Sequence, residues 1–499
     1  MSEKQGYSVD SLSLSDIGAD ALFYAQAKVV TAFTSIAAIA FYTRLLSPDD
    51  YGLYVLAITA VATVYAFFFN WIGYVIWRYF EKHRNEGSLS EFLSTICTIA
   101  ISLFMIVAVL SALAFIAFKG YIGETLLHLL AIGIAVLGAQ TAFYILLEIF
   151  CITRRSGIYS LYASLGSVAI LLLGVAALWL GYGPAGILLS MVFVYGTLFV
   201  IEIMRSSRQW DIKFPFFDRV IARRVFNFGV PQIWIAGGAT LLAIADRYML
   251  GLFIGPDAVG VYSVGYMIAD YSIQWPLQIL TLAAVPTLVI SFENSGEEEA
   301  IFLLRKVIVL YCVIFTPVAC GMAALSDYIV NVAGKAFQGA SEVLPWVIVG
   351  VYFFGLSQIV NLPFQLKERP KLLAYLIFSA SALNVVLNFF LIPYFGIVGA
   401  AYATLAAYFL YYAASHLVVE GVFKLSFPWL SILKPIIASL GMFAALRLIT
   451  EWFSYDIWLL LLTVLGGFVL YVVLLFALRE EMLLGGIDFL KGKLVRVRT

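Results

Sequence analysis

Lys28, Arg44, Glu148, Asp246, Arg247 and Asp270 lie inside, or at the ends of, long apolar stretches. An ionisable side chain at the centre of a bilayer costs about 2.5–3.5 kcal/mol on insertion scales, so each needs a physical reason to be there. Lys28 is about seven residues into the first stretch, roughly 10 Å deep at 1.5 Å per residue. It either snorkels to the headgroups or lines a polar cavity where its ammonium would meet an anion. Arg44, near the far end of that stretch, is a rim residue or a second substrate contact. Asp246 and Arg247 are neighbours in sequence, and on a helix they point about 100° apart, so they are expected to be poorly placed for each other. About two turns inside the boundary, each then needs either a cavity or a partner on another helix.

The acids suggest coupling chemistry. Asp270 is well inside its stretch, with Gln274 and Gln278 on adjoining turns, and is a candidate proton or sodium site. Glu148 is a second, although Glu148 and Glu202 both lie near stretch ends where partial solvation would also explain them. His128 and His416 read as structural donors. Asn70, Gln140, Gln232, Gln358, Asn361, Asn384 and Asn388 could serve sugar hydroxyls or equally act as interhelical glue. Tyr74 and Trp275 are candidates for stacking on sugar faces, whereas Tyr51, Tyr54, Trp71 and Trp77 read as interfacial belt residues. No catalytic or metal-ligating constellation is present: there is no phosphate loop of the Walker type, no HExxH and no nucleophile elbow. Cys97, Cys151, Cys312 and Cys320 have no metal-like spacing, and no cofactor is expected.

These residues are carried by a chain of 499 residues that is 63% hydrophobic and 12% charged, with a mean hydropathy of +0.99. Soluble domains carry about 25% charged residues, so this is an integral membrane protein. A formal net charge of zero argues against a nucleic-acid partner. A crossing helix needs about 20 apolar residues, and fourteen such stretches are present: 21–46, 52–77, 92–118, 123–150, 157–181, 184–204, 227–254, 258–290, 301–325, 342–366, 372–393, 397–420, 432–450 and 457–478. With a cytoplasmic N-terminus, one side collects Arg78, Lys82, Arg84, Arg154, Arg155, Arg205 to Arg224, Arg305, Lys306, Lys367, Arg369, Lys371, Lys424 and the tail. The other keeps little beyond Arg44, Lys119 and Lys335. That bias places both termini inside. The polar, serine-rich start, Met1 to Asp20, has no signal-peptide pattern. The connection 205–226 and the basic tail from Met482 to Arg498 are expected to anchor at the membrane surface. The longest outer loop, about 326–341, is too short and bland for an active site, which argues against a membrane enzyme such as a polymerase or ligase.

The chain is internally duplicated. Ser47-Pro48-Asp49-Asp50-Tyr51-Gly52-Leu53-Tyr54 returns about 208 positions later as Gly255-Pro256-Asp257-Ala258-Val259-Gly260-Val261-Tyr262. Gly183-Pro184-Ala185-Gly186 returns as Gly396-Ile397-Val398-Gly399 about 213 positions on. Stretches 1–6 therefore map onto 7–12 in parallel, and the last two lie outside the repeat. The expected organisation is an N-terminal lobe (1–204), a cytoplasmic linker (205–226), a C-terminal lobe (227–420), two further spans (421–478) and a cytoplasmic tail (479–499). In the alignment of the two copies, Asp246 and Arg247 fall opposite Ala38 and Ile39, Lys28 opposite Ala236, and Asp270 opposite Ala62.

With Phe226-Asn227-Phe228-Gly229-Val230-Pro231, Asp246-Arg247 and Thr43-Arg44-Leu45-Leu46 beside these turns, the chain resembles the polysaccharide transporter (O-antigen flippase) family of the multidrug/oligosaccharidyl-lipid/polysaccharide exporter superfamily. The resemblance implies an all-α membrane protein of fourteen helices, with two six-helix lobes and two extra C-terminal helices. It implies a flippase for a polyprenyl-diphosphate-linked oligosaccharide working by alternating access in the cytoplasmic membrane. Partners would be that lipid-linked substrate, membrane lipid, H+ or Na+ for coupling, and polymerase or glycosyltransferases of the pathway. A lipid II flippase and a cation-coupled drug antiporter are the competing readings. On the diphosphate reading Lys28, Arg44, Arg247 and Asp246 would contact substrate.

Overall fold

In the computed structural model, residues 14–210, 212–367, 369–452 and 457–480 are described. The amphipathic tail expected from Met482 lies outside them. The helices are α1 (Leu14–Leu45), α2 (Pro48–Phe68), α3 (Asn70–Asn85), α4 (Leu89–Phe118), α5 (Glu124–Ile152), α6 (Ser156–Trp179), α7 (Gly183–Trp210), α8 (Arg219–Phe253), α9 (Pro256–Ser295), α10 (Glu297–Ala324), α11 (Ser326–Val330), α12 (Ala340–Val360), α13 (Leu362–Leu366), α14 (Pro370–Phe423), α15 (Trp429–Trp452) and α16 (Ile457–Ala477). Among the described residues, thirteen helical segments are long and apolar enough to cross a membrane. One of them, Lys371–Phe423, has 53 residues, or about 80 Å of helix, more than twice a hydrocarbon core of about 30 Å. Gly396 breaks it with φ 59° and ψ −137°, so it crosses twice and the passages number fourteen.

The duplicated turns explain their own sequences. Pro48 and Pro256 each open a helix, where the missing N–H costs nothing, and acids fill both first turns (Asp49, Asp50 and Asp257). Ser47 and Asp50 cap one another: the Asp50 N–H donates to Ser47 Oγ at 3.1 Å and the hydroxyl donates to Asp50 Oδ2 at 2.9 Å. Gly183 and Gly396, which correspond in the repeat, both require the left-handed region, with φ 57° and 59°.

Contact clustering divides the chain into two compact units. Unit 1 comprises Met1–Leu46 and Ala57–Gly237; unit 2 comprises Ser47–Leu56 and Gly238–Thr499. The turn of the first repeat is thus part of unit 2. A Cβ on Gly52 would overlap the Pro256 carbonyl, and a Cβ on Gly260 would overlap the Pro48 carbonyl. The two copies of one phrase meet in a reciprocal backbone contact that only glycine allows.

Two of the sequence expectations need correction here. Tyr51 and Trp71 do not face outward as belt residues would, and Tyr262 of the second turn matches Tyr51 in this. Tyr51 packs edge-on to Phe337 at 5.6 Å, Trp71 donates to the Phe68 carbonyl at 2.8 Å, and all three are buried. Their rings have apolar neighbours inside the fold, which outcompete the interface. Nor is 326–341 an open loop. It folds as α11 and two 3-10 turns, with Val330 and Phe337 fully buried.

Between α7 and α8, residues 212–218 are stitched to α4. Lys213 N–H donates to Ser94 Oγ (2.8 Å), Asp218 N–H to Thr95 Oγ1 (3.2 Å), and Thr98 Oγ1 donates to the Phe216 carbonyl (2.7 Å). Phe214 and Phe217 remain exposed there.

Candidate functional site

In unit 2 the acid–base neighbours of α8 are interior. Asp246 is 1% and Arg247 4% exposed. The Tyr262 hydroxyl donates to Asp246, as does Thr404 from α14 at 3.5 Å. The Arg247 N–H donates to Asp246 Oδ1 at 2.8 Å, and its guanidinium lies 3.7 Å from the same oxygen. That guanidinium also donates to the Ala243 carbonyl at 2.6 Å and sits 4.4 Å above the Tyr266 ring. As expected of neighbours poorly placed for each other, Asp246 takes its hydroxyl donors from α9 and α14, while the arginine side chain folds back to the Ala243 carbonyl of its own helix.

The network continues along one stripe of α9, where Tyr262, Tyr266, Asp270 and Gln274 recur every fourth residue. Tyr266 and Tyr408 share a hydrogen bond of 2.7 Å. Asp270 lies within electrostatic range of Arg247, and Gln358 donates to Gln274 at 2.8 Å. Asn361 donates to Tyr411 at 3.0 Å. Asn384 and Asn388 are fully buried and bonded to one another at 2.9 Å, away from any sugar hydroxyl.

Unit 1 treats its polar groups differently. Here α1 packs along α6, while α3 packs on α4 and α5. Tyr24 of α1 meets Tyr159 of α6 edge-on at 5.1 Å. Tyr65 of α2 meets Tyr144 of α5 in the same way at 5.5 Å, and Tyr144 touches Tyr195 of α7 at 6.0 Å. Glu148, one turn before the end of α5, accepts from the Trp77 indole and lies within electrostatic range of Tyr65, Tyr74 and Tyr159. Cys151 lies within electrostatic range of Glu148, Lys28 and Tyr24. Asp20 accepts from Ser156 and pairs with Arg154 at 3.8 Å. Lys28, Tyr74 and Trp77 are exposed, the rings by 48% and 54%.

Lys28 and Glu148 thus both lie within electrostatic range of Cys151 in unit 1, while Asp246, Arg247 and Asp270 come together in unit 2. Arg44, exposed in the last turn of α1, joins neither among the described residues. Glu202 differs from its expectation: it is 3% exposed and bonded by Tyr162 at 2.8 Å, not partly solvated. His416 stacks among Tyr412, Phe427 and Trp429. Trp77, read from the sequence as a belt residue, is the group that sequence reasoning missed. Its signal was the stripe Tyr74, Trp77, Arg78 and Glu81, spaced for one helix face. Among the described residues no group of three His, Cys, Asp or Glu could hold a metal ion.

Similar proteins narrow what this arrangement belongs to. An uncharacterized membrane protein of Methanocaldococcus jannaschii is 26% identical over 230 residues, 44% of this chain and 43% of the relative. A probable low-salt glycan biosynthesis flippase of Haloferax volcanii is 26% identical over 201 residues, 40% of this chain and 42% of the relative. The chain thus spans about two fifths of the length of the curated relatives it matches. In three dimensions the chain is similar to the lipid II flippase MurJ in an inward closed conformation. The TM-score is 0.73 at 16% identity, covering 91% of this chain and 96% of that one, which is a likeness of fold. The profile of the polysaccharide biosynthesis protein family matches residues 41–341, more than half of the sequence, and the chain belongs to that family.

Proposed function

We propose that this chain is a flippase that carries a polyprenyl-diphosphate-linked oligosaccharide across the cytoplasmic membrane by alternating access, with both termini on the cytoplasmic side. The observation that carries the reading is the exposed Lys28 of α1 in unit 1, with Cys151 of α5 within electrostatic range of both Lys28 and Glu148. A charged group inside a membrane span needs water or a counter-ion beside it. A diphosphate supplies the second when it enters, and membership of a polysaccharide biosynthesis family supports a glycan-lipid cargo. The protein's part is binding and passage, not bond chemistry. Lys28 is the cation for the diphosphate, and Arg44 is a second, rim contact. Asp246 and Arg247 hold α8, α9 and α14 together and act on transport through that packing. Asp270 and Glu148 are the sites for a coupling proton or sodium ion.

The test is replacement of Lys28 by Ala in the host, with surface polysaccharide measured at matched protein level. Loss of one charge-assisted contact, worth about 1.5–3 kcal/mol, should cut export about tenfold or more. Normal export by that variant would remove Lys28 from the site. A lipid II flippase would instead respond in cell-wall synthesis with surface glycan unchanged.

A further inference from the structure

Trp77 and Tyr74 have no part in the diphosphate reading, yet they share a surface with Glu148. The Trp77 indole donates to one oxygen of Glu148, which fixes both side chains and leaves the other oxygen free to accept. Gly73, one residue before Tyr74 on α3, lets that helix pack closely on Glu148: a Cβ there would lie 3.4 Å from Glu148 Cγ and Cδ and 3.5 Å from Oε1. Behind it, Tyr65 and Tyr144 are locked edge to face at 5.5 Å, so the wall is rigid. Trp77 and Tyr74 keep about half of their surface exposed. Four residues after Glu148 the helix ends, and Arg154 and Arg155 follow, which puts the surface near the end of α5 that the Lys and Arg bias assigns to the cytoplasm.

A membrane-facing indole needs no carboxylate, and a carboxylate facing acyl chains is expensive. The combination suits a ligand with both an apolar C–H face and hydroxyl donors, which is the chemistry of a pyranose ring. Aromatic rings with few rotatable bonds offer such a face at low entropic cost, and one carboxylate oxygen accepts two hydroxyls.

We infer that Trp77, Tyr74 and Glu148 form a sugar-binding platform for the glycan of the lipid-linked substrate, beside the diphosphate position at Lys28. The inference rests on the proposed flippase function and adds which part of the substrate each group reads. Lys28 holds the part common to all such lipids, and the platform discriminates glycosylated from bare lipid.

The test uses the purified full chain in nanodiscs and two probes. One is the polyprenyl-diphosphate oligosaccharide extracted from its own host; the other is the bare polyprenyl diphosphate left after mild acid removes the glycan. The wild type should prefer the glycosylated lipid. Trp77→Ala should lower that preference about tenfold with binding of the bare lipid unchanged, and Tyr74→Ala, at a site without a role in the core, should do the same to a smaller degree. Glu148→Gln, which keeps an acceptor for the indole, should retain part of the preference. Lys28→Ala should weaken both lipids alike. A wild type without preference, or variants at Trp77 and Tyr74 that keep it, would overturn the platform alone. A wild type that binds neither lipid would overturn the flippase reading and the platform with it.

Discussion

Glu148 in unit 1 and Asp246 in unit 2 are both carboxylates held by an aromatic donor, Trp77 for one and Tyr262 for the other. The resemblance ends with their surroundings. Asp246 is sealed at 1% exposure, with Arg247, Thr404 and Tyr262 filling its acceptor sites. Glu148 shares its cluster with the exposed Lys28, Tyr74 and Trp77. Two copies of one duplicated bundle have kept the same turns and diverged in their polar interiors. Unit 2 spends its charges on packing, where removing one member of a pair leaves the other buried and uncompensated. Unit 1 buries Glu202 against Tyr162 but leaves Lys28 exposed, and an exposed charge contributes little to stability.

That contrast can be broken or sharpened by substitution. Arg247→Ala should have the largest effect: the Asp246 carboxylate would be left unpaired in the interior, at about 3–5 kcal/mol. The expected outcome is a steep fall in the melting temperature and yield of detergent-purified protein. An unchanged melting temperature would mean that the network is not structural. Gly52→Ala and Gly260→Ala should each cost about 1–3 kcal/mol, because the added methyl meets a backbone carbonyl that cannot move alone; thermal unfolding of the two variants should give similar losses, since the contact is reciprocal. Tyr262→Phe removes one hydrogen bond to Asp246 and should cost about 1–3 kcal/mol, with packing retained. Smallest of all, Lys28→Ala and Tyr74→Ala should change stability by about 0.5 kcal/mol or less while lowering transport. A large stability loss at Lys28 would erase the distinction between the two units.

Much of the fold was legible in the sequence because length and hydropathy alone determine a crossing. Fourteen apolar stretches became fourteen passages, and the glycine phrases at 183–186 and 396–399 marked corresponding helix starts. The sites were less legible. These helices are apolar on every side, so the face a polar residue occupies leaves no period to read. The partners that satisfy Asp246 come from α9 and from Thr404, 158 residues away in sequence, and nothing in the local pattern of α8 names them. Glu202 and Glu148 looked alike near their helix ends, yet one is buried against Tyr162 while the other, held by Trp77, stays partly exposed. The four-residue stripe on α9 and the face of α3 carrying Tyr74 and Trp77 were visible patterns. They remained ambiguous because belt residues and interior donors use the same side chains.

The central claim is that the open charge of unit 1 serves a lipid-linked glycan diphosphate. Its most direct test is translocation of the labelled host polyprenyl-diphosphate oligosaccharide in proteoliposomes, comparing wild type with Lys28→Ala at equal melting temperature. The account predicts transfer between leaflets by the wild type and a rate about tenfold lower or less in the variant. Equal rates for the two proteins, or no transfer by the wild type, would contradict it.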